Sequence, residues 1–381
     1  MGRAAPVPAA LFAKGARVIL HLYMARRFLR SLLGVLAIFF VLTLLIDVVE
    51  QARRHGDTLS GLGALVSLSL LNLPQGLYRI LPLVFILATL AHFLGLARTS
   101  EMVVVRAAGR SAVVALVPPV LVTLVVGGLG VAMFNPLVAA TSRAYEERIG
   151  EITGEESVLA LAGDGLWLRQ GGPTGQTVIH AAGANLDGTD LADVTFLGFG
   201  PDGSLLRRID AETAVLSNGV WQLSAAKLWP LAGAGNPEAE ARTHPMLTLP
   251  SDLTADEIRN SFGTPSSISI WDLPAFIDQL REAGFSALRH EVFLQTELAL
   301  PVFLVAMVLI GAAFTLRHQR SGRTGLFILS AVLLSFSAYF LRNFAQILGE
   351  NGEIPVLLAA WAPPFAAIGL AAGLILHLED G

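Results

Sequence analysis

Apolar residues in this chain fall into two groups of three long runs, separated by a polar, turn-rich stretch. The runs cover residues 32–49, 62–96 and 112–134, then 298–316, 326–344 and 355–376. A helix that crosses a bilayer needs roughly 20 mostly apolar residues, so each run predicts one span. Pro74 and Pro82 interrupt the second run, which reads as one kinked span with an outer lead-in. Reading it as two spans would invert everything downstream. Before the first run, residues 9–18 are apolar but broken by Lys14 and Arg17. They read as a surface-lying lead-in rather than a secretion signal.

The stretch between the groups has a different period. Short alternating runs at 166–169, 177–180, 194–199, 205–209, 214–216 and 220–223 are punctuated by Asp187-Gly188, Pro201-Asp202-Gly203 and Asn218-Gly219. Such spacing predicts antiparallel strands in a sandwich or jelly roll. Residues 232–237 read as a flexible loop. The chain therefore divides into residues 1–138, an all-β insert at 139–267, and residues 268–381. In the last part Asp272 caps a helix whose Leu273, Phe276, Ile277 and Leu280 share one face. That helix reads either as lying on the outer membrane surface or as a connector orienting the fourth span.

Charge orients the spans. Arg17, Arg26, Arg27 and Arg30 precede the first, Arg98, Arg106 and Arg110 follow the second, and Arg317, Arg320 and Arg323 follow the fourth. With six spans these three places share one face, and the positive-inside rule makes it cytoplasmic. The opposing short loops hold only Arg53, Arg54 and Arg342. Both termini are then inside and the β insert outside.

Composition agrees with a membrane protein: 54% hydrophobic and 15% charged residues exceed the apolar share of an ordinary soluble domain. With no cysteine, thiolate and disulfide chemistry are excluded. No phosphate-cradling Gly-rich loop, zinc-protease pair or nucleophile elbow occurs in the sequence. Asp47 and Glu50 lie one turn apart near the outer end of the first span, where they read as interface charges rather than a catalytic pair. No convergent polar set is evident within the spans, which argues against an intramembrane enzyme.

Three stretches carry a family resemblance: Arg98-Thr99-Ser100-Glu101-Met102-Val103-Val104-Val105-Arg106-Ala107-Ala108-Gly109, Asp164-Gly165-Leu166-Trp167, and Ile354-Pro355 leading to Trp361-Ala362-Pro363-Pro364. Together with the span order, they make the chain resemble the lipopolysaccharide export permeases LptF and LptG, most nearly LptG. The resemblance implies six membrane helices with an inserted periplasmic β jelly roll, in the bacterial inner membrane. It implies an LptF-like partner permease, an LptB-type ATPase dimer, an LptC-like membrane-anchored β protein and an LptA-like periplasmic bridge. The substrate would be lipopolysaccharide, with no cofactor and no ATPase activity in this chain.

By the same resemblance Arg98, Ser100, Glu101, Met102, Val103, Val104 and Arg106 belong to a coupling helix seated in an ATPase groove, with Glu101 and Arg106 on exposed positions. Arg53 and Arg54 would hold the phosphorylated sugar head, a role that suits the forked guanidinium. Asp47 stands where some relatives are basic, and is placed to pair with Arg54 or a cation. Each buried acyl CH₂ is worth roughly 0.8 kcal/mol, so exposing a multi-chain lipid to water costs on the order of tens of kcal/mol. The lipid must then pass from a cavity lined by the outer ends of the first and fifth spans to an apolar groove inside the β domain. Two alternatives remain at this point: a force-transmitting subunit that binds no lipid, and a scaffold that docks periplasmic partners.

Overall fold

The computed structural model describes residues 9–56, 61–101, 112–153, 159–162, 165–172, 175–184, 189–217, 219–233, 235–251, 253, 258, 265–282, 286–315 and 324–379. Two compact units emerge. One comprises Met1–Tyr145 with Val292–Gly381, the other Glu146–Glu291.

The first unit is helical. Its elements are α1 (Ala9–His55), α2 (Leu62–Arg79), α3 (Leu81–Arg98), α4 (Ala112–Leu129), a π-helical turn Gly130–Phe134, and α5 (Asn135–Thr153), which carries the chain out of this unit. After the insert come α7 (Leu288–Thr315), α8 (Thr324–Glu350) and α9 (Val356–Glu379). Among the described residues, six helices are long and apolar enough to cross a membrane: Ile19–His55, Leu81–Arg98, Val114–Ile152, Leu288–Thr315, Gly325–Glu350 and Val356–His377. The long second run is two helices. Ile80, at φ −95° and ψ 3°, ends α2, and Pro82 enters the first turn of α3, where a missing N–H costs nothing. The lead-in at residues 9–18 runs straight into the first span as one 47-residue helix rather than lying apart from it.

The hub of the helical unit is α7. In its apolar stretch 72% of residues are buried, against 6% in α1 and 11% in α8. Small residues make the close crossings possible, as expected where lipid supplies no hydrophobic drive between helices. A Cβ on Gly127 of α4 would stand 2.9 Å from Pro301 Cα, and one on Gly311 would stand 3.0 Å from Thr89 Cγ2 of α3.

The second unit is built on a seven-stranded antiparallel sheet in sequential order: β1 (Leu159–Ala162), β2 (Gly165–Gly172), β3 (Gly175–Ala184), β4 (Asp190–Phe199), β5 (Leu205–Ser217), β6 (Val220–Pro230) and β7 (Arg242–Pro250). The all-β insert is present as expected. Its strands, however, pair only with their sequence neighbours, so among the described residues the crossover connection of a jelly roll is absent.

A crease supplies the second layer. Buried positions in a strand normally recur every two residues, but β4 steps from Leu191 to Val194, β5 from Ala211 to Ala214, and β6 from Leu223 to Ala226. These three-residue steps lie side by side, since Leu191 pairs Ala214 and Ala214 pairs Leu223. Asp193 at φ 50° and Ala225 at φ 51° adopt the left-handed backbone that the extra residue needs. Folded along this line, the sheet brings β2 to the end of β7: Gln170 Nε2 donates to the Pro250 carbonyl at 3.3 Å, and Ser251 Oγ to Gln170 Oε1 at 3.0 Å. The crease also explains why 205–209 and 214–216 read as separate strands. They are the two arms of β5.

Inside the fold, Leu168, Ile179, Phe196, Trp221 and Leu223 are all buried. The interior is a packed core rather than the open apolar groove expected. The 232–237 loop is pinned too: Glu238 accepts from Lys227 Nζ at 2.5 Å and from Trp229 Nε1 at 2.6 Å. Finally, α6 (Leu273–Glu282) forms where Asp272 predicted it, with the Asp272 carbonyl accepting from Phe276 N–H. Its Leu273, Ile277 and Leu280 are buried within the chain, which leaves this face unavailable to a membrane surface.

Candidate functional site

Two arginine clusters mark the two ends of α1. Near its start, Arg27 is held between two partners. Its guanidinium forms a short ion pair with Glu101, 74 residues away, and Nη1 donates to the Tyr23 hydroxyl at 2.9 Å. The Tyr23 hydroxyl in turn donates to Glu101 Oε2 at 2.9 Å, and Thr99 Oγ1 donates to Oε1 at 2.8 Å. Glu101 thus receives three side-chain donors.

The local sequence puts Glu101 there. Thr99 closes α3 through its N–H and hydroxyl on the Gly95 carbonyl, at 3.2 and 3.0 Å. Ser100 then turns at φ 55°, the left-handed position that follows many helix ends. Beneath the bracket, Met24, Phe93, Leu96, Leu116, Ala312 and Ile375 pack as one core, so α1 cannot slide relative to α3 without disturbing it. Partial burial pushes the Glu101 carboxyl up. The bonds from Arg27, Thr99 and Tyr23 outweigh that and hold it below the usual carboxylate range.

Glu101 is therefore engaged within the chain, where an exposed position was expected. Arg98 and Ser100 are exposed beside it. Met102, Val103, Val104 and Arg106 lie outside the described residues.

At the far end of α1, Arg53 and Arg54 converge on one carboxylate. Arg53 donates to Glu50 through Nε at 3.0 Å and Nη2 at 2.7 Å, and Arg54 Nε makes a short bond to the same group. Their side chains are 70% and 61% exposed. Asp47 does not pair with Arg54; its Oδ1 accepts from Asn72 Nδ2 at 2.7 Å. This end is tied to the rest of its unit by Asp47 and by Gln51, which donates to the Tyr145 hydroxyl at 2.9 Å. Both arginine side chains stay exposed beside this tie.

A third cluster was not anticipated. Glu297 of α7, 4% exposed, takes a short hydrogen bond from Tyr78 of α2 and a bond from Asn135 Nδ2 at 3.3 Å. Asn135 follows directly on the π-helical turn, whose extra residue redirects the helix at that point. Arg342 of α8 stacks over Phe303 with Cζ 5.2 Å from the ring centre. The spans do hold a convergent polar set. Its members are far apart in sequence, so only the separate presence of charges in apolar runs could have signalled it. Buried ionisable groups of this kind are costly in a membrane and tend to be functional.

The low burial of α1 and α8 leaves long apolar faces uncovered among the described residues: Phe40, Val41, Leu45 and Ile46 on α1, and Leu333, Phe336, Phe340 and Phe344 on α8, are all exposed.

Comparison with known proteins gives a consistent answer. The family described as lipopolysaccharide export system permease LptF/LptG matches residues 22–377. The chain is 24% identical over 373 residues to the lipopolysaccharide export system permease protein LptG of Haemophilus influenzae, covering 94% of this chain and 98% of that one. It is also 24% identical over 356 residues to the LptG protein of Escherichia coli strain K12, covering 91% and 94%.

Proposed function

We propose, from the premise that this chain belongs to the lipopolysaccharide export system permease LptF/LptG family, that it is the LptG-type permease of an ATP-driven lipopolysaccharide extractor. The family match across nearly the whole chain carries this reading. In it the chain sits in the inner membrane with both termini cytoplasmic and the β unit periplasmic. An LptB-type ATPase dimer supplies the work, and an LptF-like permease completes the cavity. An LptC-like protein and an LptA-like bridge receive the lipid.

The exposed apolar faces of α1 and α8 suit the cavity walls. Arg53 and Arg54 suit the phosphorylated head group at the outer leaflet, since both are free of inter-helix duty and carry forked donors. Glu50 then acts as a placeholder that a phosphate displaces. The Arg27–Glu101 bracket supports the coupling role of residues 98–106: force applied there passes directly to α1, one wall of the cavity. The packed β core must open, or lipid must travel on another face of the sheet.

The test is lipopolysaccharide release from proteoliposomes containing this chain with its co-purified partners, to a soluble acceptor. ATP-dependent release that Arg53→Ala with Arg54→Ala reduces supports the reading. A chain that co-purifies with no ATPase and leaves release unaffected would overturn it.

A further inference from the structure

The starting half of α1 presents a face that the coupling bracket does not use. At 100° per residue, Ile19, Arg26, Arg30 and Ala37 fall within about 20° of one line along the helix. Met24, Phe28 and Leu32 occupy the opposite side and are buried in the protein. The line therefore points away from the bundle. Ile19, Leu22, Tyr23, Arg26, Arg27, Arg30 and Ser31 border a groove there of about 610 Å³.

Arg27 at its edge is committed to Glu101. Arg26 and Arg30 form no ion pair among the described residues and are exposed. They stand one turn apart, about 6 Å of helix rise, a spacing over which two guanidinium forks can share one phosphodiester. Directly along the same face, Leu33 and Ala37 continue as exposed apolar residues. A paired cationic site at the head of an outward-facing apolar track has the layout of a phospholipid: charge at one end, chain along the other.

We propose that this face binds an anionic phospholipid, its phosphodiester between Arg26 and Arg30 and one acyl chain along Leu33 and Ala37. The site is distinct from Arg53 and Arg54, which lie at the other end of the helix. The placement in the cytoplasmic leaflet rests on the orientation proposed above; the binding itself does not. Because the Arg27–Glu101 bracket borders the groove, an anionic lipid there adds negative charge beside the pair and links membrane composition to coupling.

The test is native mass spectrometry of the detergent-purified full chain titrated with dioleoyl phosphatidylglycerol or dioleoyl phosphatidylcholine. Wild type should prefer the anionic lipid. Arg26→Gln with Arg30→Gln should lose that preference by about five-fold per arginine, the equivalent of roughly 1 kcal/mol for each basic residue at an anionic surface. Arg26→Lys with Arg30→Lys, which keeps the charge, should retain most of it. An unchanged preference in the Gln variant overturns the proposal. So does displacement of the lipid by inorganic phosphate, which would mark a free-anion site, or loss of lipid binding in the complex with partners, which would mark a protein-docking face. None of these outcomes depends on whether the chain transports lipopolysaccharide.

Discussion

The two ends of α1 use the same chemistry for opposite purposes. At each end arginine meets one glutamate, through short, multiple hydrogen bonds. Near the start the glutamate comes from another segment, and Arg27 with Tyr23 and Glu101 ties α1 to the turn after α3. At the far end Glu50 is three and four residues away on the same helix, so its bonds to Arg53 and Arg54 join nothing to anything else. A long-range pair transmits position. A local pair fixes only the side chains that make it.

Breaking the long-range pair should have the larger effect. Glu101→Gln removes a charged acceptor with three donors, each such bond being worth about 1.5–3 kcal/mol at most. ATP-driven lipopolysaccharide release should fall roughly ten-fold or more, while assembly, followed by co-purification, persists. Arg53→Ala with Arg54→Ala should lower photo-crosslinking to lipopolysaccharide several-fold. The melting temperature should barely move, because solvent-exposed pairs of this kind contribute little to stability.

Glu50→Gln sharpens the contrast from the other side. If Glu50 is a placeholder, removing its charge frees both arginines and raises crosslinking by about two-fold. A fall would mean that Glu50 orients them instead. The smallest effect is on acidity. Glu101 is held below the ordinary carboxylate value, so the bracket's stabilisation is fully present above about pH 4.3. It is lost only as pH falls through the lowered value. Hydrogen exchange at residues 95–101 should therefore stay slow through mildly acidic conditions. Loosening already at pH 6 would contradict the bracket.

What could be read from the sequence follows the reach of each interaction. Spans were legible because a bilayer demands an uninterrupted apolar run; of the two prolines read as interruptions, Pro82 marks the break and Pro74 lies inside α2 without one. Strands were legible at Asn218-Gly219 and similar turns. The crease was not: Asp193 and Ala225 adopt left-handed backbone without being glycine, and only the matching steps in neighbouring strands reveal it. Glu101 stands out by its motif, but its partners do not: Arg27 reads as ordinary positive-inside flank, and nothing in the sequence singles out Tyr23. Tyr78, Asn135 and Glu297 are the extreme case. Each is unremarkable alone, and the meeting is made by three helices crossing.

The most direct test is ATP-driven lipopolysaccharide release by Arg27→Gln, Glu101→Gln and the double variant in the assembled transporter. If the pair acts as one mechanical link, each single change costs nearly as much as both, and the double variant is no worse than the poorer single. If Arg27→Gln releases at the wild-type rate, or the two losses simply multiply, Glu101 does not work through α1, and the coupling route lies elsewhere.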